Sequence, residues 1–252
     1  MNYGMVSVPA APMRKKPNHR RQMVSQLLFG ESVMILEKRG KWIRVRGLHD
    51  EYSGWMTRSL VMPVTERDAR PDAGVVSGAL LNLLVLNGQA MHIPFGSSLP
   101  HFENGRGGFP GLQYEFSGQH IDRHAHRDGA LLRYAESWLN VPYLWGGRTP
   151  LGVDCSGFVQ IMHKMIGIDL PRDAWQQAQT GKKIKKLKDA APGDLAFFDD
   201  RDEIVHVGIL LGPGQIIHAS GTVRVDPIDT KGIVHAGTGK RTHRLRLIRR
   251  VN

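Results

Sequence analysis

The sequence contains one cysteine and no long apolar segment, and both shortages exclude classes of protein. Cys155 has no partner within the chain, so an internal disulfide framework is excluded. A membrane-spanning helix needs about 18 consecutive apolar residues, whereas the densest apolar segment, residues 79–86, is short and contains Asn82. A hydrophobic fraction of 41% and a charged fraction of 23% exclude a disordered or collagen-like chain.

The first residues lack the pattern of a secretory signal peptide. Residues 1–9 show no basic segment followed by an apolar core. This favours a cytoplasmic location, with a secreted or periplasmic location as the alternative if a signal sequence was removed. At about 150 residues per domain, the 252 residues fit one large domain or two to three small ones.

The net charge is strongly positive, because 34 Lys and Arg residues face 23 Asp and Glu residues, a balance of +11. Such a surface attracts anions. The excess lies mainly in residues 182–188 and 240–250, and no nucleic-acid-binding motif accompanies either run. In the second run Leu245 and Leu247 alternate with arginines, which is typical of a strand with one solvated face. We therefore expect no nucleic-acid partner, no membrane span and no obligate protein partner.

The first half of the chain predicts short strands separated by turns. Residues 24–28, 33–36, 42–46 and 54–56 are candidate strands at a spacing that is typical of a small β-barrel. Residues 29–37 align with residues 95–103 through shared Phe, Gly, Ser and Glu positions, which predicts a second copy of the barrel. We expect domains at residues 1–64 and 65–127, a linker at 65–74, and a variable loop at the Gly-rich residues 104–108.

The pattern changes at residue 128, where helices are followed by strands. Asp128 is a candidate cap for a helix whose apolar stripe runs through Leu131, Ala135, Trp138 and Leu139. A second helix is predicted from Cys155 to Gly167, and strands are predicted at residues 195–198, 204–211 and 215–219. Helices that precede strands indicate an α+β domain over residues 128–252.

Cys155 is a candidate nucleophile because it falls in the first turn of a predicted helix. Backbone N–H groups and the positive end of the helix dipole favour the thiolate there. A buried structural cysteine is the alternative.

Two of the 12 histidines are candidates for the base that a cysteine nucleophile needs. His206 and His218 flank a Gly-Pro-Gly turn, and a hairpin centred on Pro213 places Gly208 opposite His218. The two imidazoles then lie diagonally across neighbouring strands, within side-chain reach. A base with a second group that orients it is the arrangement of a catalytic triad; two unrelated strand histidines are the alternative.

Five motifs in this order resemble the NlpC/P60 cysteine peptidases. They are Tyr-Leu-Trp-Gly-Gly at 143–147, Gly-Val-Asp-Cys-Ser-Gly-Phe-Val at 152–159, Leu-Pro-Arg-Asp at 170–173, Pro-Gly-Asp-Leu-Ala-Phe-Phe at 192–198, and His-Val-Gly at 206–208 with Ile-His-Ala-Ser at 217–220. The resemblance implies a papain-like α+β domain in which Cys155 is the nucleophile, His206 the base and His218 the orienting group. It also implies an oxyanion hole at the N–H of Cys155 with Tyr143 beside it, although Tyr143 as a buried aromatic is an alternative.

The two N-terminal repeats resemble bacterial SH3 domains, and the whole arrangement resembles the γ-D-glutamyl-L-diamino-acid endopeptidases of cell-wall peptide turnover. The resemblance implies that the chain cuts murein peptides with a free N-terminal L-Ala. Asp173 would bind the ammonium group, Ser156 would add a polar contact and Tyr52 would wall the cleft. Asp173 as a helix N-cap is the alternative. Two departures weaken the match: Ala174 stands where a serine is usual, and the second repeat lacks the Gly-Trp that ends the first.

No cofactor and no metal are expected for this chemistry, although the cluster of His120, His124 and His126 could be read as metal ligands. The leading hypothesis is a peptidase that recycles L-Ala-γ-D-Glu-diaminopimelate peptides. The alternatives are a secreted lysin that cuts intact peptidoglycan, and a wall-binding protein with an inactive peptidase domain. The intact set of Cys155, His206 and His218 argues against the last of these.

Overall fold

The computed structural model describes residues 2–69, 74–109, 111–125 and 129–251, and the chain divides into two compact units. The N-terminal unit comprises Met1–His126 together with Trp145–Pro150, and the C-terminal unit comprises Arg127–Leu144 and Leu151–Asn252. The domain boundaries after residues 64 and 127 stay a prediction.

The N-terminal unit is built almost entirely from strands. They are β1 (Tyr3–Val6), β2 (Ala10–Arg14), β3 (Met23–Leu28), β4 (Ser32–Arg39), β5 (Trp42–Gly47), β6 (Ser53–Thr57), β7 (Val61–Val64), β8 (Val75–Ser77), β9 (Leu81–Leu86), β10 (Gln89–Pro94), β11 (Arg106–Phe109), β12 (Leu112–Glu115), β13 (His120–Asp122) and β14 (Arg148–Thr149). A 3-10 turn covers Arg58–Leu60, and the one α-helix among this unit's described residues is α1 (Glu66–Ala69).

The first seven strands form one antiparallel sheet in the order β3-β2-β6-β5-β4-β1-β7. The four strands predicted between residues 24 and 56 are confirmed as parts of β3 to β6. In β5, Ile43 and Val45 are fully buried while Arg44 between them is exposed. The alternation of apolar and basic residues in this strand therefore reflects one face on a core and one face in solvent.

The second repeat forms a smaller sheet in the order β10-β9-β12-β11, beside a separate ladder of β8 and β13. The loop predicted at the Gly-rich residues 104–108 is wrong in part, because Arg106–Phe109 is strand β11. Glycine is needed there for packing: a Cβ at Gly107 would collide with the ring of Tyr114, whose hydroxyl donates to the carbonyl of Pro100 at 2.9 Å.

Both sheets of the N-terminal unit contribute to one apolar core. Met5 and Phe29 from the first sheet region pack in the same cluster as Leu84, Phe109 and Tyr114 from the second. Part of the predicted linker is also wrong, because residues 66–69 form α1 with Ala69 buried in this cluster. Residues 70–73 of that linker lie outside the described residues.

The C-terminal unit combines helices with a second sheet. Its helices are α2 (Ala130–Glu136), α3 (Cys155–Lys164) and α4 (Ala174–Gln177), and a 3-10 turn covers Leu187–Asp189. Its strands are β15 (Gly152–Val153), β16 (Lys182–Ile184), β17 (Leu195–Asp200), β18 (Glu203–Gly212), β19 (Gln215–Ser220), β20 (Thr222–Asp229), β21 (Gly232–Val234) and β22 (Arg241–Arg250).

The sheet order is β16-β22-β17-β18-β19-β20-β21, and β21 also pairs with β22. That additional pairing closes six antiparallel strands into a barrel, with β16 attached outside it. The three strands predicted between residues 195 and 219 are confirmed as β17, β18 and β19, and the strand predicted in the basic C-terminal run is confirmed as β22. Helix α3 packs against β18 and β19, and all ten of its residues are buried.

The first predicted helix of this unit is shorter than its apolar stripe suggested. Helix α2 ends at Glu136, so Leu139 lies beyond the helical face and is 43% exposed, although Ala135 and Trp138 are buried. The predicted cap, Asp128, lies outside the described residues. Across the described ranges, no helix has the length and apolar character needed to cross a membrane.

Candidate active site

Cys155 is the first residue of α3, as predicted, and Asp154 is its N-cap. The Asp154 carboxylate accepts a hydrogen bond of 2.7 Å from the backbone N–H of Gly157, which satisfies one of the unpaired donors at the helix start. Cys155 is 7% exposed. Because the N–H of a first helical residue has no acceptor within the helix, it can serve a ligand.

The start of α3 is held by a buried ion pair. Arg172 donates from two nitrogens to the two oxygens of Asp154, at 3.0 Å and 2.6 Å. Arg172 also donates to the hydroxyl of Ser156 at 2.8 Å. The bidentate geometry fixes the carboxylate beside Cys155. It also means that the Ser156 hydroxyl, predicted to contact substrate, already has an internal partner.

The resting state of Cys155 differs from the sequence-based expectation of a thiolate. The pKa of Cys155 is raised to about 12, chiefly by burial and then by the negative charge of Asp154, while the backbone N–H groups of Val207 and Ser156 and the charge of Arg172 act in the opposite direction. The expectation is wrong because desolvation and the capping carboxylate outweigh the helix terminus. A raised pKa favours the protonated thiol, from which a base has to remove the proton during attack.

The hairpin of β18 and β19 brings His206 and His218 together as predicted. Its register pairs Ile209 with Ile217, and a hydrogen bond of 2.8 Å joins Nε2 of His206 to Nδ1 of His218. Gly208 makes this contact possible, because a Cβ there would lie 2.8 Å from the Cβ of His218. Both imidazoles are buried.

Burial keeps both histidines neutral. It lowers the pKa of His218 to about 4, against the hydrogen bond that His218 makes with Asp226. Burial also lowers the pKa of His206 well below its ordinary value, and the neighbouring His218, His243 and Arg224 add to this. A neutral imidazole can accept a proton, which is the property required of a general base.

The thiol and His206 are brought together by the packing of α3 on β18. The backbone N–H of Val207, the residue after His206, makes a hydrogen bond to the Cys155 sulfur. Tyr143 lies close enough for the Cys155 charge to affect it: burial raises the pKa of Tyr143, and the charges of Cys155 and Asp154 raise it further. The structure therefore assembles Cys155, His206, His218 and Tyr143.

Asp226 and His243 were missed by the sequence analysis. The Asp226 carboxylate lies 3.0 Å from Nε2 of His218 and is fully buried. The His243 ring stacks on the His206 ring, with centroids 4.1 Å apart and planes inclined by 23°. Asp226 could have been found from the alternation of Thr222–Asp229, in which buried Asp226 interrupts an otherwise ordinary strand; His243 carried no signal, because it lies in the basic run of residues 240–250.

The two remaining predicted residues, Asp173 and Tyr52, lie in different units of the chain. Asp173 is the N-cap of α4, and its N–H donates to the side chain of Gln176 at 3.2 Å, so the N-cap alternative is confirmed. Its partial exposure is compatible with a ligand as well. Tyr52 belongs to the N-terminal unit, where it packs against an apolar cluster, and its contact with substrate stays a prediction.

The histidines considered as metal ligands make local contacts. His120 lies 3.3 Å from the carbonyl of Gly118 through Nδ1, and the backbone N–H of His124 donates to Asp122. His126 lies outside the described residues. No group of three or more His, Cys, Asp or Glu side chains suited to a metal ion occurs in the described part of the chain.

Comparison with known proteins identifies the family. The NlpC/P60 family profile matches residues 140–242, and a profile described as a bacterial dipeptidyl-peptidase SH3 domain matches residues 13–59. Over 216 residues the chain is 30% identical to the gamma-D-glutamyl-L-lysine dipeptidyl-peptidase of Bacillus subtilis strain 168, covering 79% of this chain and 72% of that protein. The chain belongs to the NlpC/P60 family. This cysteine peptidase therefore carries an SH3 domain ahead of the NlpC/P60 domain.

Two further matches, one to a sequence and one to a solved structure, cover most of this chain. A gamma-D-glutamyl-L-lysine dipeptidyl-peptidase of Bacillus cereus is 27% identical over 256 residues, covering 88% of this chain and 75% of that protein. The crystal structure of an NlpC/P60 family protein from Bacillus cereus superposes with a TM-score of 0.83 at 20% identity, covering 98% and 99% of the two chains. The predicted fold class, an α+β peptidase domain preceded by SH3-like barrels, is thereby confirmed.

Proposed function

We propose that this peptidase hydrolyses the γ-D-glutamyl–L-diamino acid bond of murein peptides that carry a free N-terminal L-Ala. The observation that carries the proposal is the buried hydrogen bond between His206 and His218 beside the Cys155 thiol. The 30% identity to a gamma-D-glutamyl-L-lysine dipeptidyl-peptidase supports the choice of bond. Free peptides released from the wall, rather than the intact wall, are the proposed substrates.

In the proposed acylation step, His206 takes the proton of the Cys155 thiol while the sulfur attacks the γ-carbonyl carbon of D-glutamate. A tetrahedral oxyanion forms, and the N–H of Cys155 at the start of α3 is available to stabilise it. His206 then gives its proton to the nitrogen of the diamino acid, the C–N bond breaks, and a thioester of the glutamyl group remains on Cys155.

Deacylation uses the same base. His206 accepts a proton from water, the resulting hydroxide attacks the thioester carbonyl, and the C–S bond breaks as the sulfur regains a proton. The products are a dipeptide with a γ-carboxyl group and the diamino acid end of the substrate. The chemistry requires a buried base that is neutral at rest, which agrees with the lowered pKa of His206.

Asp173 is the proposed partner of the substrate ammonium group. It is partly exposed at the start of α4, and a carboxylate is the group that pairs most strongly with an ammonium ion. Ser156 is the weaker candidate, since its hydroxyl is bound to Arg172. The role that the family resemblance implies for Tyr52 stays a prediction.

The proposal is tested with matched peptides. L-Ala-γ-D-Glu-diaminopimelate, the corresponding L-Lys peptide, the N-acetylated form of each, and purified sacculi are incubated with the enzyme, and products are identified by mass spectrometry. We expect cleavage of the free peptides at the γ-D-glutamyl bond, poor cleavage of the acetylated peptides and little release from sacculi. The ratio of the two free peptides identifies the diamino acid.

Asp173→Asn gives a sharper test of the amine contact. Breaking one side of a desolvated charge pair costs about 2–5 kcal/mol, so KM for the free peptides should rise sharply while the asparagine still caps α4. Equal cleavage of free and acetylated peptides by the wild type, unchanged in Asp173→Asn, would exclude the amine site. Efficient release from sacculi would instead support the lysin.

A further inference from the structure

Asp226 is a buried carboxylate that the mechanism above does not use. Its Oδ2 atom lies 3.0 Å from Nε2 of His218 and 2.9 Å from Nε of Arg224, and its Oδ1 atom accepts the N–H of Ala236 at 2.9 Å. The side chain is fully inaccessible to solvent. A buried carboxylate is costly unless donors satisfy it, and here three donors converge on one side chain.

The carboxylate is ionised at neutral pH. Burial raises the pKa of Asp226, but the hydrogen bonds from Ala236, His218 and Arg224 outweigh burial and leave the pKa below its ordinary value. An ionised carboxylate can only accept hydrogen bonds. The atom of His218 that faces it, Nε2, must therefore carry a hydrogen.

The position of that hydrogen determines the rest of the chain of hydrogen bonds. A neutral imidazole carries one N–H, so a hydrogen on Nε2 of His218 leaves Nδ1 as an acceptor. Nδ1 of His218 faces Nε2 of His206 at 2.8 Å, so Nε2 of His206 must be the donor in that bond. The lone pair of His206 then lies on Nδ1, the nitrogen left to take the thiol proton.

We propose that Asp226 is a positioning residue that acts through His218 to set the direction of the His218–His206 hydrogen bond, so that His206 is held in the tautomer that accepts the Cys155 proton. This rests on the proposed roles of Cys155 and His206. Without an anionic acceptor behind His218 the opposite direction becomes available, and His206 would then present an N–H to the sulfur. A base in the wrong tautomer loses most of its catalytic contribution.

The readout is alkylation of Cys155 by iodoacetamide at pH 7, which needs no peptide substrate. The S–C bond forms, the C–I bond breaks, iodide leaves, and His206 takes the thiol proton. Because the chain has one cysteine, mass spectrometry of the intact protein measures this site alone. Hydrolysis of the free peptide is measured in parallel.

Four proteins form the test: wild type, Asp226→Asn, His218→Gln and the double variant. Glutamine carries its donor and acceptor on separate atoms and cannot change tautomer, so Asp226 has no proton to position in that background. We expect Asp226→Asn to slow alkylation about 100-fold in wild type, within the range of general-base contributions, and less than about twofold in His218→Gln, since residues that act through one another are not additive.

Asp229→Asn is the matched control. It changes another aspartate of β20 that pairs with Arg241 and makes no contact with His218, and asparagine can still accept the N–H of Lys231. Its alkylation rate should equal that of the wild type. An equal loss from Asp226→Asn in both backgrounds would assign Asp226 a purely structural role and overturn the proposal, as would no loss in either.

A measurement on the wild type covers the case in which Asp226→Asn does not fold. In ¹⁵N-histidine NMR, protonated and unprotonated ring nitrogens resonate in separate regions, and the signals of His218 are those lost in His218→Gln. We expect a protonated Nε2 and an unprotonated Nδ1, and the reverse would overturn the proposal. If alkylation follows the expected pattern but no murein peptide is cut, the proposed substrate is wrong and the role of Asp226 stands.

Discussion

Two buried aspartates adjoin the candidate active site, Asp154 before α3 and Asp226 on β20, and their partners differ. Asp154 is held by two nitrogens of Arg172, a group that stays charged at every accessible pH. Asp226 faces His218, an imidazole whose proton can sit on either nitrogen. The first carboxylate therefore has a fixed partner, and the second has a partner whose state it can select.

The difference teaches what each half of the site contributes. On the helix side, the Asp154–Arg172 pair stabilises the start of α3, and its negative charge helps to keep the Cys155 thiol protonated. On the sheet side, burial keeps His206 and His218 neutral and ready to take a proton. In the proposed mechanism the helix side therefore positions the thiol, and the sheet side carries the acid–base chemistry.

The largest loss of activity should come from removing the Cys155 thiol, on which the helix side and the sheet side of the site both act. Cys155→Ala should abolish peptide hydrolysis, because no other thiol exists in the chain. The smaller side chain at the helix start should leave the fold intact. Product formation is followed by mass spectrometry and the fold by circular dichroism; residual hydrolysis above background in a folded variant would exclude Cys155 as the nucleophile.

The next effect separates the two histidines of the sheet side. His206→Ala should leave no activity above background, because the general base, which contributes about 10²–10⁴-fold, is lost. His218→Gln should retain measurable activity, because an amide can still accept from His206. Both are compared by kcat/KM on the same free peptide. Equal and total loss from both variants would show that the two roles are assigned wrongly.

A stability measurement tests the helix side. Arg172→Met should lower the free energy of unfolding by about 3–5 kcal/mol, because it leaves Asp154 buried without its partner. Arg241→Met removes a bidentate pair of the same kind with Asp229, but that pair is exposed and screened by solvent, so its loss should be much smaller. Urea unfolding of both variants gives the comparison. Similar losses would mean that the buried pair contributes no more than the exposed one.

The smallest effect is the pH dependence of Cys155 alkylation. A raised thiol pKa means that the folded protein keeps its proton above the pH at which a free cysteine has lost it. Spontaneous thiolate formation should therefore continue to increase beyond pH 9, whereas at pH 7 the rate should depend on His206. His206→Ala and wild type should converge at high pH. A rate that levels off below pH 8 would instead support a thiolate at rest.

The sequence was informative wherever a local pattern determines geometry. The Gly-Pro-Gly turn between the two histidine strands predicted the His206–His218 contact, although Gly212 pairs with Gln215 and a β-bulge between Leu210 and Gly212 restores the register that the contact needs. The position of Cys155 at a helix start could likewise be predicted from the neighbouring residues. The pKa of its thiol could not be predicted in this way. It depends on the strands that cover α3 and on the ion pair that Asp154 makes with Arg172.

The features that the sequence did not predict depend on contacts between segments that are not adjacent in sequence. His243 reaches His206 because β22 pairs with both β17 and β21 and so closes the barrel, which no local pattern reveals. Strand β11 was mistaken for a loop because glycines lower strand propensity. In the structure Gly107 leaves room for the ring of Tyr114. Local propensity therefore failed where packing against a distant residue decided the outcome.

The short segment Trp145–Pro150 lies in sequence between Tyr143 and Cys155, yet it belongs to the N-terminal unit. Arg148 donates there to the carboxylate of Glu31 at 2.8 and 3.0 Å and to the carbonyl of Gln26 at 2.7 Å, and its side chain is fully buried. A recombination event that exchanged the NlpC/P60 domain as one continuous piece would carry Arg148 away from Glu31 and break this buried ion pair. Exchange of these modules between related genes would therefore keep the buried pair only where compatible residues stand at positions 31 and 148.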